Sequence, residues 1–316
     1  MLKYFDIHTH VNFKAFDEDR DSVIQRALDS DTWMINIGTQ VDTSKKAIEL
    51  AHKYPEGVYA CIGLHPIHTE ESFHDEDEIS GPGFTRLVDV DDVASPRTES
   101  ASSTFTTGFK SRAEIFDKNV YREMLKDPKV VAIGECGLDY YHLEEKSIER
   151  QKKVFIEQIE LAQEFDKPLM LHIRNGSTSS PQVTKKNAYF DVCGLIKKSV
   201  EVGLPRIRGV SHFFAGSVED MQRFVDMGIY ISFAGAITYK PKPEICDYIN
   251  VIKETPLEYI LTDTDAPYVA PVPYRGKRNE PSYVREIVKK IAEIKGLTEE
   301  ETAKAIFDNA RRLFKI

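Results

Sequence analysis

Near its start the chain reads Tyr4-Phe5-Asp6-Ile7-His8-Thr9-His10, a short apolar run that ends in two histidines two residues apart. Seven further short runs of β-branched and apolar residues follow at intervals along the chain. Runs of this length and composition are typical of buried β-strands. The eight predicted strands are Tyr4–His8, Trp33–Ile37, Val58–Leu64, Val130–Gly134, Pro168–Ile173, Ile207–His212, Ile229–Phe233 and Tyr259–Thr262.

Between most of these strands lie segments whose apolar residues recur at helical spacing. Strands that alternate with helices are typical of parallel sheets, and eight such repeats predict an α/β fold, the (β/α)8 or TIM barrel. Thr298 and Glu301 have the spacing of a capping box at the start of the last helix. The predicted helices include Ser44–Tyr54, Ser147–Phe165, Val218–Met227, Lys242–Lys253, Ser282–Ile294 and Thr298–Phe314.

One connection is longer than a barrel crossover requires, because roughly sixty residues separate the third and fourth predicted strands. We predict an insertion over residues 70–118 within a single domain of residues 1–316. Its first part, Glu70 to Asp92, has nine acidic residues and one basic residue, so most of the acidity of the chain is local. The polar stretches Ser95–Thr107 and Asn175–Asn187 lack periodicity, as expected of loops.

The 316 residues include 42 basic and 51 acidic side chains, which give a formal net charge of -9. This balance argues against a protein that grips long nucleic acid through bulk charge. Four cysteines without a C-x-x-C pair favour a reducing compartment. The N-terminus lacks the pattern of a secretory signal, and no apolar run has the length of a membrane helix. We therefore expect a cytoplasmic protein, or a nuclear one if the source is eukaryotic, with no membrane association and no obligate protein partner.

Residues that ligate metals gather where the predicted strands end. The two histidines of the first strand share one of its faces, because side chains alternate along a strand. Four later strands also end in, or are followed by, a histidine or a carboxylate. Isolated core histidines do not predict this clustering at strand ends, where barrel enzymes place their active sites. The predicted metal ligands are His8, His10, Glu135, His172, His212 and Asp265.

Four imidazoles and two carboxylates are more than one tetrahedral ion with an open catalytic position needs. We therefore predict two divalent metal ions, which a carboxylate such as Glu135 can bridge. Mixed nitrogen and oxygen ligands fit zinc or manganese, and they fit magnesium if water completes its shell. The sequence does not choose among these ions.

These segments resemble the TatD family of metal-dependent deoxyribonucleases, a branch of the amidohydrolase superfamily of barrel enzymes. The resemblance runs nearly end to end, places the family's ligands on the same six residues, and implies 3′-to-5′ exonuclease activity in DNA degradation and repair. The chain departs from the family in its long insertion and in Asp263, where the family usually has Glu. The matching blocks are Asp6–His10, Ile62–Pro66, Ala132–Tyr141, Pro168–Arg174, Ser211–Gly216, Thr262–Tyr268 and Arg275–Pro281.

The metal centre and the resemblance together predict hydrolysis of a phosphodiester by an activated water. Asp265 is the predicted general base, and Glu135 is the second predicted catalytic carboxylate. An acidic chain offers few phosphate contacts, which favours DNA ends or short oligonucleotides as substrates. Each predicted substrate contact also has a structural alternative. The basic residues could instead be solvated surface charges, His65 could make a structural hydrogen bond, and Tyr140 could pack in the core. The predicted substrate contacts are His65, Arg174, Arg275, Lys277, Arg278 and Tyr140.

Three other functions stay open at this stage. Relatives of the family imply hydrolysis of misacylated tRNA esters, and no residue here excludes that reaction. An amidohydrolase acting on a cyclic amide or lactone shares the H-x-H strand, but such enzymes commonly bridge their metals with a modified lysine where this chain has Glu135. A non-catalytic scaffold is disfavoured because all six ligand positions are filled.

Overall fold

The computed structural model describes most of the chain outside the predicted insertion and a few loops. The described residues are 2–70, 72–73, 110–111, 113–141, 145–176, 187–201, 206–240 and 247–316. Most of the predicted insertion, including the acidic and Ser/Thr-rich stretches, therefore lies outside the described residues. The same holds for most of the polar stretch Asn175–Asn187 and for the first residues of the predicted helix Lys242–Lys253.

Within the described residues, eight parallel strands form one sheet in which each strand pairs with the next along the chain. This order confirms the predicted barrel, and every predicted strand is present with ends shifted by a few residues. The strands are β1 (Tyr4–Thr9), β2 (Thr32–Ile37), β3 (Val58–Ile62), β4 (Val130–Asp139), β5 (Leu169–Arg174), β6 (Gly209–Ser211), β7 (Tyr230–Phe233) and β8 (Ile260–Thr262).

The last strand meets the first just beyond its own end, and this contact nearly closes the barrel. Thr9 and Ala266 form a parallel bridge, and the His10 N–H donates to the Ala266 carbonyl at 2.8 Å. The Asp265 N–H donates to the His8 carbonyl at 2.9 Å. The chain after β8 is therefore fixed directly beside the H-x-H segment of β1.

Helices cover the outside of the barrel, as the alternation of periodicities predicts. The structure confirms the capping box of the last helix, in which the Thr298 hydroxyl accepts from the Glu301 N–H at 3.2 Å. The described helices are α1 (Arg20–Asp29), α2 (Val41–His52), α3 (Lys118–Met124), α4 (Glu145–Glu164), α5 (Ala188–Glu201), α6 (Val218–Asp226), α7 (Tyr248–Glu254), α8 (Val284–Lys295) and α9 (Glu299–Phe314). Short 3-10 helices span Lys14–Phe16, Pro66–Thr69, Gly235–Thr238, Leu257–Tyr259 and Pro281–Tyr283.

The core lies between the strands and this helical layer. Phe5 of β1 packs edge-on against Trp33 of β2, with ring centroids 6.0 Å apart, and Trp33 contacts Phe307 of α9 at 5.1 Å. The last helix therefore packs across the first two strands. None of the described helices has both the length and the apolar character needed to cross a membrane.

The described ends of the insertion are attached to the barrel between β3 and β4. The segments Ser72–Phe73 and Lys110–Ser111 pair as antiparallel strands. Glu114 donates its N–H to the His68 carbonyl at 2.9 Å, and its carboxylate accepts from the Tyr121 hydroxyl at 2.9 Å. The chain therefore leaves and rejoins the barrel beside the loop that follows β3.

Candidate metal centre

His8, near the end of β1, and His10, directly after it, lie at the C-terminal end of the barrel. His8 is fully buried and His10 is 4% exposed. Because they are two residues apart on a strand, both imidazoles reach the same space, as the H-x-H spacing predicts. The His8 ring also stacks on that of His212 at the end of β6, with centroids 3.7 Å apart.

Glycine allows the fourth strand to approach the fifth where it presents Glu135. A Cβ atom on Gly134 would lie 2.5 Å from the Met170 carbonyl oxygen, so no larger residue fits without moving the backbone. The pairing of the two strands shifts register at this point, between Ile133 and Cys136. The close approach places the Glu135 carboxylate among the histidines of the neighbouring strands.

Four ligand atoms face one another at the side of the centre formed by β1 and β8. The Nε2 atom of His8 lies 3.2 Å from His10 Nε2, 3.5 Å from Glu135 Oε2 and 3.6 Å from Asp265 Oδ1. Four lone-pair donors at these distances form a group that would ligate a divalent cation. The chemistry of this donor set therefore fits the metal predicted from the sequence.

The other oxygen of Glu135 faces a second pair of histidines. Its Oε1 lies 2.9 Å from His172 Nδ1 and 2.9 Å from His212 Nε2. One carboxylate is thus shared between two groups of imidazoles, the arrangement expected of a residue that bridges two ions. The structure brings together all six predicted ligands.

Burial and mutual charge set the protonation of this cluster. Burial, together with the neighbouring His212, lowers the pKa of His8 to about 3, so its imidazole is neutral and available as a ligand. Burial alone would raise the pKa of Glu135, but its close contacts with the imidazoles of His65, His212, His8 and His172 hold the pKa well below its usual range. Neutral imidazole and ionised carboxylate are the forms that bind metals.

Asp139, which sequence reasoning did not select, orients the strand-five histidine. Its Oδ2 lies 2.9 Å from His172 Nε2, on the opposite side of the ring from Glu135. Although burial opposes both shifts, this contact and its charges raise the pKa of His172 to about 9 and lower that of Asp139 to about 2. The sequence spacing could have identified Asp139, because it follows Glu135 by four residues on one strand and therefore shares its face.

Asp6 and Asn279, also not selected from the sequence, hold the segment that carries Asp265. The Asp6 carboxylate, fully buried, accepts from the Thr264 N–H at 2.8 Å and from the Thr264 hydroxyl at 2.5 Å. Asn279 donates to the Thr264 and Tyr268 carbonyls, each at 2.7 Å. Asp265 itself has a φ of +53°, so these contacts support a backbone conformation that few non-glycine residues adopt.

Asp263, the departure from the family pattern, supports the neighbourhood of His212. Its Oδ2 accepts from the Ser232 hydroxyl and from the Phe213 N–H, the latter at 3.2 Å. Phe213 directly follows His212 and has a φ of +41°. Burial raises the pKa of Asp263 to about 6, although the charge of His212 opposes the shift.

His65 lies beside the cluster, where it was predicted to contact substrate. Its Nε2 is 3.4 Å from Glu135 Oε1, and with His172 these residues form a third group of ligand-type atoms. The Nδ1 of His65, however, accepts a hydrogen bond from the Ile67 N–H at 3.2 Å. The proton of the neutral ring therefore sits on Nε2, which makes that atom a hydrogen-bond donor rather than a metal ligand.

The other predicted substrate contacts are distributed around the barrel rim. Arg174, at the end of β5, stacks on Tyr141 with 3.7 Å between the guanidinium carbon and the ring centroid. Arg275 is exposed and lies over the Tyr239 ring at 4.5 Å. Lys277 is exposed.

Two of the predicted substrate contacts are engaged in the fold instead. Tyr140 is fully buried and its hydroxyl donates to Asp191 at 2.7 Å, so its ring presents no face to a base. Arg278 donates to both oxygens of Asp19, at 2.9 and 2.6 Å, and to the Ala15 carbonyl. Tyr140 is thus packed in the core, which was the alternative for this residue, whereas Arg278 is paired with Asp19 rather than solvated.

Comparison with known proteins agrees with this geometry. A family model described as TatD related DNase matches residues 5–315. The chain belongs to the TatD family. It is 34% identical over 315 residues to the uncharacterized metal-dependent hydrolase YabD of Bacillus subtilis, with 99% of each chain covered. TatD of Pantoea vagans, named as a 3′-5′ ssDNA/RNA exonuclease, is 28% identical with 99% of each chain covered.

The fold also agrees with that of solved members of the TatD family. The crystal structure of the TatD homologue YjjV of Escherichia coli superposes with a TM-score of 0.71, at 25% identity, over 100% of this chain and 99% of that one. A TatD-family hydrolase of Entamoeba histolytica superposes with a TM-score of 0.69 at 22% identity, over 99% and 98% of the two chains. The protein is therefore a metal-dependent hydrolase with the barrel of this family.

Proposed function

We propose that this TatD-family hydrolase cleaves phosphodiester bonds at DNA ends as a 3′-to-5′ exonuclease with two bound divalent ions. The observation that carries the proposal is the division of the Glu135 carboxylate, in which Oε2 faces His8 and His10 and Oε1 faces His172 and His212. Two ions bridged by a carboxylate are well suited to displacement at phosphorus, which develops charge on both the attacking and the leaving oxygen. The name of the Pantoea vagans relative supports this reaction class.

The residues that would hold the ions fall into two sets with Glu135 in common. The first adds His8, His10 and Asp265, and the second adds His172 and His212. When bound, the ions would lower the pKa of a water molecule and neutralise charge on the phosphate. Zinc, manganese and magnesium are the candidate ions.

Asp265 is the proposed general base. Burial opposes ionisation, but a hydrogen bond with His10 and the close approach of the His8 and His10 imidazoles lower the pKa of Asp265. The carboxylate is therefore ionised at neutral pH and can accept a proton from the attacking water. Its side chain is 16% exposed, compared with 5% for Glu135, so it is the more accessible of the two carboxylates.

His65 and Arg174 are the proposed phosphate contacts. The Nε2 proton of His65 points towards the shared carboxylate, where a non-bridging phosphate oxygen would accept it. Arg174 is half-buried and follows the ligand His172 by two residues on β5, which gives both side chains the same face. Its guanidinium provides a second donor group at the edge of the metal centre.

The charge of the protein favours short or single-stranded substrates. Affinity from counterion release grows with the number of phosphates that basic residues contact. The net charge is -9, and Arg278, one of the predicted cations, is already paired with Asp19. Arg275 and Lys277, both exposed, are the proposed outer contacts of a strand end.

Metal analysis combined with a panel of end-labelled single-stranded DNA, duplex DNA, RNA and aminoacyl-tRNA tests the proposal. We expect release of mononucleotides from the 3′ end, preference for single-stranded or frayed ends, and complete loss with chelator. Asp265→Asn should abolish turnover while circular dichroism and the melting temperature show an intact fold.

Two outcomes would contradict the proposal. Release of free amino acids from aminoacyl-tRNA without cleavage of any oligonucleotide would establish the deacylase alternative. Efficient cleavage of closed circular duplex DNA would rule out an enzyme that acts only on ends.

A further inference from the structure

A surface cavity of about 600 Å³ lies between α4, α5 and α6. It is lined in part by Asn187 and Ser217, which directly precede α5 and α6. In a barrel of alternating strands and helices, the loops that precede the helices are on the same rim as the active site. The cavity therefore opens on the rim where the predicted ligands converge.

Two connections tie the cavity to the metal centre. Ser217 follows the ligand His212 by only five residues. On the other side, Asp191 accepts from the hydroxyl of Tyr140, which lies in the segment after Asp139. A substrate strand that extends outward along the rim past His212 can therefore reach this cavity.

Both cations in the cavity lining are paired with carboxylates. Lys152 lies 3.0 Å from the Asp191 carboxylate. Arg223 contacts Asp220 at 3.0 Å and Glu219 at 2.6 Å. With both cations paired and carboxylates in excess, the lining does not favour a phosphate group.

The lining instead offers an aromatic face to solvent. Phe190, at the start of α5, is 60% exposed, and the guanidinium of Arg223 lies 5.7 Å from its ring centroid. An aromatic ring with an adjacent guanidinium is a surface on which planar heteroaromatic groups stack. Among common groups of a nucleic acid, the base has this shape and carries no charge at neutral pH.

We propose that this cavity is a nucleobase subsite in which a base of the substrate strand stacks on Phe190. The base belongs to a nucleotide beyond the scissile phosphate, because the cavity lies outside the metal centre. The subsite rests on the proposed nuclease function and deepens it, since it makes the enzyme select single strands with unpaired bases. A base in a duplex is already stacked and paired, and it is not free to enter.

The test compares Phe190→Ala with Phe190→Trp, and uses Leu297→Ala as the matched control. Leu297 is also an exposed apolar residue, at 37%, but it follows α8 at the opposite end of the barrel. Activity is measured on bis(p-nitrophenyl) phosphate, which has no base, and on a length series of oligothymidylates. We expect Phe190→Ala to lower the ratio of kcat/KM on long oligonucleotides to kcat/KM on the small diester by about five-fold or more. Phe190→Trp should restore the ratio, and Leu297→Ala should leave it unchanged.

An abasic nucleotide moved along the strand identifies the base that stacks. Abasic substitution at the position that occupies the cavity should weaken cleavage by the wild type but have no further effect on Phe190→Ala. Equal loss at that position in both proteins, or an unchanged ratio in Phe190→Ala, would overturn the subsite.

A binding measurement separates this inference from the proposed function. The affinity of the Asp265→Asn protein for a fluorescent oligothymidylate is measured with and without Phe190→Ala. If the wild type cleaves no oligonucleotide but Phe190→Ala still weakens binding about five-fold, the nuclease proposal fails and the subsite stands. Unchanged affinity refutes the subsite whatever the activity.

Discussion

The Oδ2 atom of Asp139 lies 2.9 Å from Nε2 of His172, on the side of the imidazole that faces away from Glu135. This contact fixes the ring so that Nδ1 is directed towards the shared carboxylate. The histidine of β5 is thus oriented by two carboxylates of the adjacent strand, β4.

Replacement of Asp139 by Asn should weaken metal binding. The amide keeps the shape of the side chain but removes the charge that orients His172, so we expect a 10- to 100-fold loss of metal affinity. Calorimetric titration of the metal-free protein with zinc or manganese measures this directly. Asp127→Asn is the control, because Asp127 pairs with the exposed His52. Equal affinity of the Asp139 variant and the wild type would show that the contact does not orient the ligand.

Asn279→Ala should lower both stability and turnover. The substitution leaves the carbonyls of Thr264 and Tyr268 without their donor, and Asn279 is fully buried, so we expect a loss of about 2–4 kcal/mol in the free energy of unfolding. Because Thr264 precedes Asp265, kcat should also fall. Urea unfolding and steady-state kinetics measure the two effects, with the exposed Asn119→Ala as the control. A destabilised variant with normal kcat would limit the role of Asn279 to folding.

Arg278→Ala should affect stability rather than substrate binding. Arg278 joins the loop after β8 to Asp19 before α1, and loss of this partly exposed pair should cost about 1 kcal/mol at neutral pH. The hydrogen bond from Arg278 is the main reason that the pKa of Asp19 is lowered. The contribution of this pair to the free energy of unfolding is therefore fully present above the ordinary pKa of Asp. It is lost as the pH falls through the lowered pKa.

Urea unfolding of the wild type and Arg278→Ala at neutral pH and at about pH 3 measures this difference. The two curves should approach each other at the lower pH. Lys277→Ala is the neighbouring control and should leave stability unchanged while it weakens oligonucleotide binding. A gap between wild type and Arg278→Ala that is equal at both pH values would contradict the assigned pair.

Removal of the metal should lower the melting temperature as well as abolish activity. An ion that binds only the folded protein stabilises it by about 2.7 kcal/mol at a concentration 100 times its Kd. Dialysis against chelator followed by return of zinc, manganese or magnesium, with differential scanning fluorimetry, measures the shift. The double variant His8→Ala/His10→Ala should respond less, whereas His52→Ala, an exposed histidine outside the centre, should respond like the wild type. A melting temperature that is insensitive to every ion would exclude a metal centre formed by these residues.

Much of the fold and the ligand set follows from local pattern. Each barrel strand is a short apolar run, and its periodicity does not depend on where its neighbours lie. The six predicted ligands stand at the ends of such runs, and parallel strands in a barrel bring their ends to one rim. His8, Glu135 and His212 could therefore be grouped before any distance was known.

The residues that orient the ligands did not follow from pattern alone. Asp139 and Asp6 are acidic residues on strands, and their roles depend on distant partners. Asp139 contacts His172, 33 positions along the chain, and Asp6 contacts Thr264, 258 positions along the chain. Arg278 lies in a basic segment that predicts phosphate contacts, but Asp19 happens to lie within reach of it in the folded chain. Tyr140 and Tyr141 are adjacent aromatics of one motif, and only packing decides that Tyr140 is buried while Tyr141 stacks with Arg174.

The sequence by itself determined the barrel and the position of the insertion, and it predicted the metal ligands, because periodicity and strand ends are local properties of the chain. Tertiary structure alone decided the division of the Glu135 oxygens, the tautomer of His65 and the pairing of charged side chains. Those features depend on distances of about 3 Å between groups on different strands. The energies of hydrogen bonds and ion pairs change strongly when such distances change by a fraction of this length.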